Sequence, residues 1–159
     1  MLMAVLTVSD RCSQGLMTDT AGPAVAEMLR ETFPDAAVEG AIVPDLEDAI
    51  AEKISAWCER GAALVLTAGG TGLGPRDRTP EATRRMIDRE APGLAEAMRT
   101  AGAARNKFAW LSRGVAGLKG RTLIVNLPGS ERGARESLES ILALLEHGIA
   151  VAAGGQNHP

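Results

Sequence analysis

The run AALVLTA (62–68) is apolar apart from one threonine and shows no alternation of polar and apolar residues. A strand wetted on one face alternates. One that does not is covered on both faces, as in parallel sheets packed between helices. LMAVLTV (2–8) and RTLIVNL (121–127) read as further buried strands, and AAVEGAIV (36–43) as another. Amphipathic stretches separate them: TAGPAVAEMLRETF (20–33), DLEDAIAEKISAWCERG (45–61) and, late in the chain, SERGARESLESILALLEHG (130–148). This alternation predicts an α/β fold, a three-layer α/β/α domain with a mostly parallel central sheet. No repeat, linker or low-complexity block divides residues 1–159, so a single domain is expected.

Local signals sharpen the outline. Asp45 is placed to start the helix of 45–61 and Gly61 to stop it, while Ile50, Ile54 and Trp57 share one apolar face. Thr79 is placed to cap another helix, with Pro80 at its first position, where a missing N–H costs nothing. APG (91–93) breaks that helix, and LAEAMRTAGAARN (94–106) reads as the next. The stretch 105–119 suggests a short hairpin around LSRGVAGLKG. The last helix is expected to continue brokenly through Val151, and the tail GGQNHP to fray.

Composition removes several classes of function. A hydrophobic content of 45% with only 2 Phe and 2 Trp implies a core of Ala, Val, Leu and Ile. A net charge of -3 gives no global attraction to nucleic acid or to an anionic membrane, so an anionic substrate must be drawn by local groups. The opening MLMAVLTVSD lacks a basic segment, and its apolar run is too short for a signal peptide or membrane span. With 2 cysteines, no paired CxxC and no histidine nearby, a zinc site is not expected, and a reducing, cytoplasmic compartment is. Cys58 reads as a packing residue on a helix. Cys12 reads as a bystander thiol with no base in sequence reach. His147 and His158 read as solvated.

Ligands of open parallel sheets bind beyond the carboxyl ends of the strands. Four segments project there: SDRCSQG with Ser9 and Asp10, PD with Asp45, the loop LTAGGTGLGPRDRTPEAT (66–83), and NLPGS with Asn126, Pro128, Gly129 and Ser130. The loop crowds Gly69, Gly70, Gly72 and Gly74 into six residues. It is either a spacer or a cradle of backbone N–H groups. The P-loop pattern GxxxxGK fails, because Pro75 stands where lysine belongs, and the dinucleotide fingerprint fails because Pro75 replaces its third glycine. Backbone amides and the helix start at Thr79 can still hold an anion, with Arg76 and Arg78 at the rim.

Asp77 is then the odd residue. A carboxylate in a phosphate cradle repels the ligand unless a cation lies between them. It is either a helix-flanking acid or a ligand for Mg²⁺, which takes one or two carboxylates plus substrate phosphates. Asp45 is either a cap or a functional acid, and Asp10 either caps a turn or joins the site. Ser130 is either a plain N-cap or part of a second anion cradle. Ser112-Arg113 reads as a surface turn, with contact to an anion as the alternative.

These segments together resemble the molybdopterin adenylyltransferases of molybdenum cofactor biosynthesis, whose domain also occurs in gephyrin. The resemblance rests on SDR after the first strand, VPD before the helix of 45–61, the GGTG…RDRTPEAT block, and LSRGVAGLKGRTLIVNLPGS. It runs from about Val5 to about Leu145. It implies a nucleotidyltransferase that binds Mg·ATP and molybdopterin and forms adenylylated molybdopterin with release of pyrophosphate. By motif position, Asp45 and Asp77 would be the functional acids and Mg²⁺ ligands. Ser9, Asp10, Gly69, Gly70, Thr71, Gly72 and Thr79 would line the nucleotide and phosphate site. Ser112, Asn126, Pro128, Gly129 and Ser130 would hold the pterin. The resemblance further implies a homotrimer and a downstream molybdenum-insertion protein as partner. Two other functions stay open: a pterin carrier without turnover, and a trimeric structural domain with a vestigial site.

Overall fold

Successive side chains of β1 (Leu2–Val8) point to opposite faces, and both faces are buried. Met3 and Val5 join one core, Ala4, Leu6 and Val8 a second. The computed structural model describes residues 1–155, in which this two-sided burial is met by helices on each face of one sheet. The order is β1, α1 (Asp10–Ser13), α2 (Ala21–Thr32), β2 (Ala37–Val43), α3 (Glu47–Glu59), β3 (Leu64–Ala68) and α4 (Thr79–Met86). There follow β4 (Arg89–Glu90), α5 (Pro92–Ala103), a 3-10 turn Lys107–Leu111, β5 (Ala116–Lys119), β6 (Thr122–Leu127) and α6 (Glu131–Ala152).

The six-stranded sheet runs β2-β1-β3-β6-β5-β4. The first four are mutually parallel, and β5 is antiparallel to both β6 and β4. Residues from α2, α5 and α6 fill the core on one face, and those from α3 and α4 the core on the other. Ile50, Ile54 and Trp57 are buried together on the second face, as their spacing predicts. Register positions the site. Val8 pairs with Val43, Thr7 with Ala68, and Ala68 with Leu127, so four parallel strands end nearly level. Whatever follows each strand arrives at the same edge.

Several local expectations are corrected. Leu46, not Asp45, is the N-cap residue of α3, because the Asp45 carboxylate is engaged elsewhere. Thr79 does not cap α4: its hydroxyl donates to the Gly69 carbonyl at 2.8 Å, and Arg78 takes the cap position without a side-chain bond. APG does not break α4, which already ends at Met86; the two-residue β4 follows, and α5 begins at Pro92 itself. Within 105–119, only β5 belongs to a hairpin, which turns through Gly120 into β6; the 3-10 turn occupies Lys107–Leu111. The last helix runs unbroken to Ala152. Among the described residues no helix is long and apolar enough to cross a membrane. The readings of His158 and of the tail beyond Gly155 lie outside the described residues.

Candidate active site

From β1 the chain returns over one face of the sheet to β2, then crosses the other face to β3. The strand order therefore reverses between β1 and β3, the place where open α/β sheets form a crevice. A cavity of about 700 Å³ lies there. Ser9 and Asp10 reach it from the end of β1, Asp45 from β2, and Gly69, Gly70 and Asp77 from β3. Gly129 and Ser130 reach it from β6. The four predicted segments do meet.

The glycine turn is built for close approach. Gly69 (φ 108) and Gly70 (φ 65) are left-handed. A Cβ on Gly69 would collide with the Val8 carbonyl, and one on Gly70 with the Thr79 hydroxyl. Thr79 pins the turn twice, since its N–H also donates to the Gly70 carbonyl at 3.1 Å. The first use of these glycines is thus to let β1, β3 and α4 close on each other. What they leave over is an N–H: among the described residues, no hydrogen bond engages the amides of Gly70 and Gly129. Beside them starts α6, whose cap Ser130 accepts from the Gly133 amide at 3.1 Å. Unpaired amides and a helix N-terminus make that wall attractive to anions.

The opposite wall is acidic. Asp10 and Asp45 clasp each other's backbone: the Asp10 amide donates to Asp45 Oδ2 at 2.7 Å, and the Asp45 amide to Asp10 Oδ1 at 3.0 Å. Arg76 closes on Asp10 through Nε at 2.7 Å and Nη2 at 2.9 Å. That guanidinium, helped by the Asp45 amide, holds the Asp10 carboxyl below the usual carboxylate range. Among the described residues Asp45 has no ion pair, and the Arg76 charge acts on it only from a distance. Burial pushes its carboxyl up, and the charges of Asp10 and Asp77 push the same way against the Asp10 amide. Asp77 accepts from the Gly74 amide through Oδ2 at 2.8 Å and lines the same cavity.

Among the described residues, no three carboxylates, histidines or cysteines converge into a protein-only metal site. Mg²⁺ takes one or two protein carboxylates and completes its shell from phosphates and water. Asp45 and Asp77 supply hard oxygen donors at the same cavity. The residues fit Mg²⁺. The rim cations are less available than the sequence suggests: Arg76 is paired with Asp10, and Arg78 with Glu47 at 2.8 Å.

Other expected site residues lie elsewhere. Ser112, Asn126 and Pro128 line a separate cleft of about 40 Å³, apart from Gly129 and Ser130. Asn126 is 2% exposed and hydrogen-bonded within the fold. Its Nδ2 donates to Thr67 and Thr83 hydroxyls at 3.0 and 2.8 Å, and its Oδ1 accepts from the Val115 amide at 3.1 Å. Both Nδ2 hydrogens and one Oδ1 lone pair are therefore used inside the fold. Thr71, Gly72 and Thr79 do not line the cavity; they hold the loop that does. Sequence reasoning missed Asp19, a further cavity acid that accepts from Thr7 Oγ1 at 2.6 Å and from the Gly22 amide in the first turn of α2 at 3.0 Å. It also missed the pairing of Arg113 with Glu81, whose partners are too distant in sequence to leave a local signal.

Residues 4–147 match the family described as "Probable molybdopterin binding domain". The molybdenum cofactor synthesis protein cinnamon of Drosophila melanogaster is 44% identical over 146 residues, covering 91% of this chain but 24% of that protein. The chain spans 22% and 48% of two other curated relatives. A molybdopterin adenylyltransferase of Helicobacter pylori (strain J99) is 36% identical over 154 residues, 96% of this chain and 88% of that one. The crystal structure of the molybdopterin biosynthesis enzyme MoaB from Thermus thermophilus has a TM-score of 0.89 at 50% identity over 96% of each chain. A family match over residues 4–147 and relatives similar along nearly the whole chain lead to one conclusion: this chain belongs to the molybdopterin-binding domain family.

Proposed function

We propose that the chain is a molybdopterin adenylyltransferase, joining molybdopterin to the AMP part of ATP. One observation carries the reading: a single cavity opposes an anion-attracting wall to a carboxylate pushed up by burial and by two neighbouring acids. Phosphates alone suit the first wall and are repelled by the second. A magnesium nucleotide suits both. The relative named molybdopterin adenylyltransferase, which this chain matches over 88% of its length, supports the same choice.

In the reaction, an oxygen of the molybdopterin phosphate attacks the α-phosphorus of ATP. The new O–P bond forms as the bond from the α-phosphorus to the β-phosphate oxygen breaks, and pyrophosphate leaves with that electron pair. No covalent protein nucleophile is needed. The Gly70 and Gly129 amides and the start of α6 would orient phosphate oxygens, so that catalysis is mainly positioning and charge stabilisation. Asp45 and Asp77 would hold Mg²⁺, which when bound neutralises charge on the phosphates.

The test is a pyrophosphate-release assay with purified protein, molybdopterin and Mg·ATP. Release that requires both substrates supports the proposal. Pterin binding without release would make the chain a carrier, and neither would leave a structural domain. The same reading carries a homotrimer. Exposed Ile42, Leu46, Phe108, Trp110 and Leu111 leave apolar surface for subunit contacts, and light scattering should give three times the 16.6 kDa chain mass.

A further inference from the structure

We infer that Arg113 is a positioning residue that, paired with Glu81, fixes the loop carrying Asp77; the inference rests on the adenylyltransferase reading for its effect on rate. Arg113 follows the 3-10 turn and lies outside the cavity lining, behind the glycine loop. Its backbone amide donates to the Thr71 carbonyl at 2.8 Å. Its side chain then spans the loop, with Nε donating to the Gly72 carbonyl at 2.7 Å and Nη2 to the Asp77 carbonyl at 2.6 Å. The remaining nitrogen, Nη1, donates to Glu81 Oε1 at 2.5 Å. One planar fork therefore ties both ends of the loop to the first turn of α4, a geometry that lysine's point charge cannot reproduce.

Beyond the Arg76 pair with Asp10 and the Thr79 bonds to Gly69 and Gly70, little else holds the loop. Leu73, Gly74, Pro75 and Arg76 are exposed, and inside the loop Asp77 is braced only against Gly74, by a backbone bond at 3.0 Å and a carboxylate bond at 2.8 Å. Glu81 gives the guanidinium its orientation. Burial works most strongly to raise its carboxyl, yet the Arg113 hydrogen bond, its own backbone amide and the charges of Arg113 and Arg78 together hold it below the usual range. Its other oxygen, Oε2, is buried without a partner among the described residues. A half-satisfied buried carboxylate is unfavourable by itself. Its gain is the direction it imposes on Arg113, and through Arg113 on Asp77.

Two variants test this, Arg113→Met and Glu81→Gln, with thermal unfolding used to confirm that each is folded. Expected for Arg113→Met is unchanged molybdopterin binding, about a 10²-fold fall in kcat and a higher Mg²⁺ requirement for half-maximal rate. Glu81→Gln should show the same pattern more weakly, which keeps the test open if Arg113→Met does not fold. Arg113→Met/Asp77→Asn should be no slower than Asp77→Asn alone; losses that multiply would mean that Arg113 acts independently and would overturn the inference. A readout free of activity is exchange of the Gly74 amide with deuterium, expected to quicken in both variants. If the parent releases no pyrophosphate, the adenylyltransferase reading fails, while exchange still decides the pairing: an unchanged Gly74 amide overturns it.

Discussion

Replacing Asn126 with alanine separates a structural residue from a ligand contact. The change removes three hydrogen bonds, to Thr67, Thr83 and Val115. At about 1 kcal/mol for each neutral bond, the direct loss is about 3 kcal/mol. Thr67 and Thr83 are both 0% exposed, so their hydroxyls lose a donor where water does not replace it. That raises the expected loss to about 3–5 kcal/mol, a large part of the 5–15 kcal/mol that holds a domain of this size together. Urea unfolding followed by circular dichroism is the assay, with the midpoint falling and the slope unchanged. Molybdopterin binding, measured below the new midpoint, should stay within a few-fold of the parent. A variant that loses less than about 1 kcal/mol yet fails to bind the pterin would refute the reasoning, because Asn126 would then be spending its amide on the ligand.

The remaining tests probe charge, backbone and titration. Asp45→Asn should keep the clasp with the Asp10 amide while removing a carboxylate whose folded pKa is raised. A raised acid favours the fold at low pH and loses that advantage as pH rises through its folded value, so the variant should melt at or above the parent at pH 7. The gain should vanish as pH falls to the ordinary 3.8. Its turnover should drop about 10²–10³-fold, and equal turnover would return Asp45 to a structural role. Gly70→Ala forces a Cβ into Thr79 at φ 65 and should cost more than about 1 kcal/mol in chemical denaturation. Gly148→Ala, inside α6 with only an ordinary 3.6 Å contact to Leu123, should instead stabilise by about 0.5–1 kcal/mol, and equal responses would discount the turn geometry. Glu39 is held near pKa 2 by Arg60 and the Trp57 indole, so its contribution to stability is present above the ordinary 4.5 and lost as pH falls towards 2. Carbon NMR titration should give that low midpoint, and Arg60→Ala should move it back towards 4.5.

What the sequence disclosed follows from how local each cause is. Largely apolar runs without alternation identify β1, β3 and β6, because both of their faces are buried. Their convergence is legible too, since parallel strands of similar length end together. β4 was hidden, because two residues carry no period. The role of Asp45 was hidden for another reason: its clasp partner Asp10 is 35 residues away, while a helix starts two residues later and offers the nearer explanation. Arg113 resembles a surface turn until Gly72, Asp77 and Glu81 gather around it.

A motif also merges two populations of residues that physics can divide. Asn126 and Thr79 sit in the same signature blocks as Asp45 and Asp77, yet their polar groups are consumed inside the fold. Hydrogen-bonding capacity still facing the cavity is the sorting criterion. By it, Gly70, Gly129, Asp45 and Asp77 keep unspent amides or carboxylates at the cavity, whereas the side chains of Asn126, Thr79 and Arg113 are spent on the surrounding fold. The two groups should then respond differently to mutation. Losses among the first should appear in turnover with the fold intact. Losses at Asn126 and Thr79 should appear first in stability, and at Arg113 in loop order and rate together.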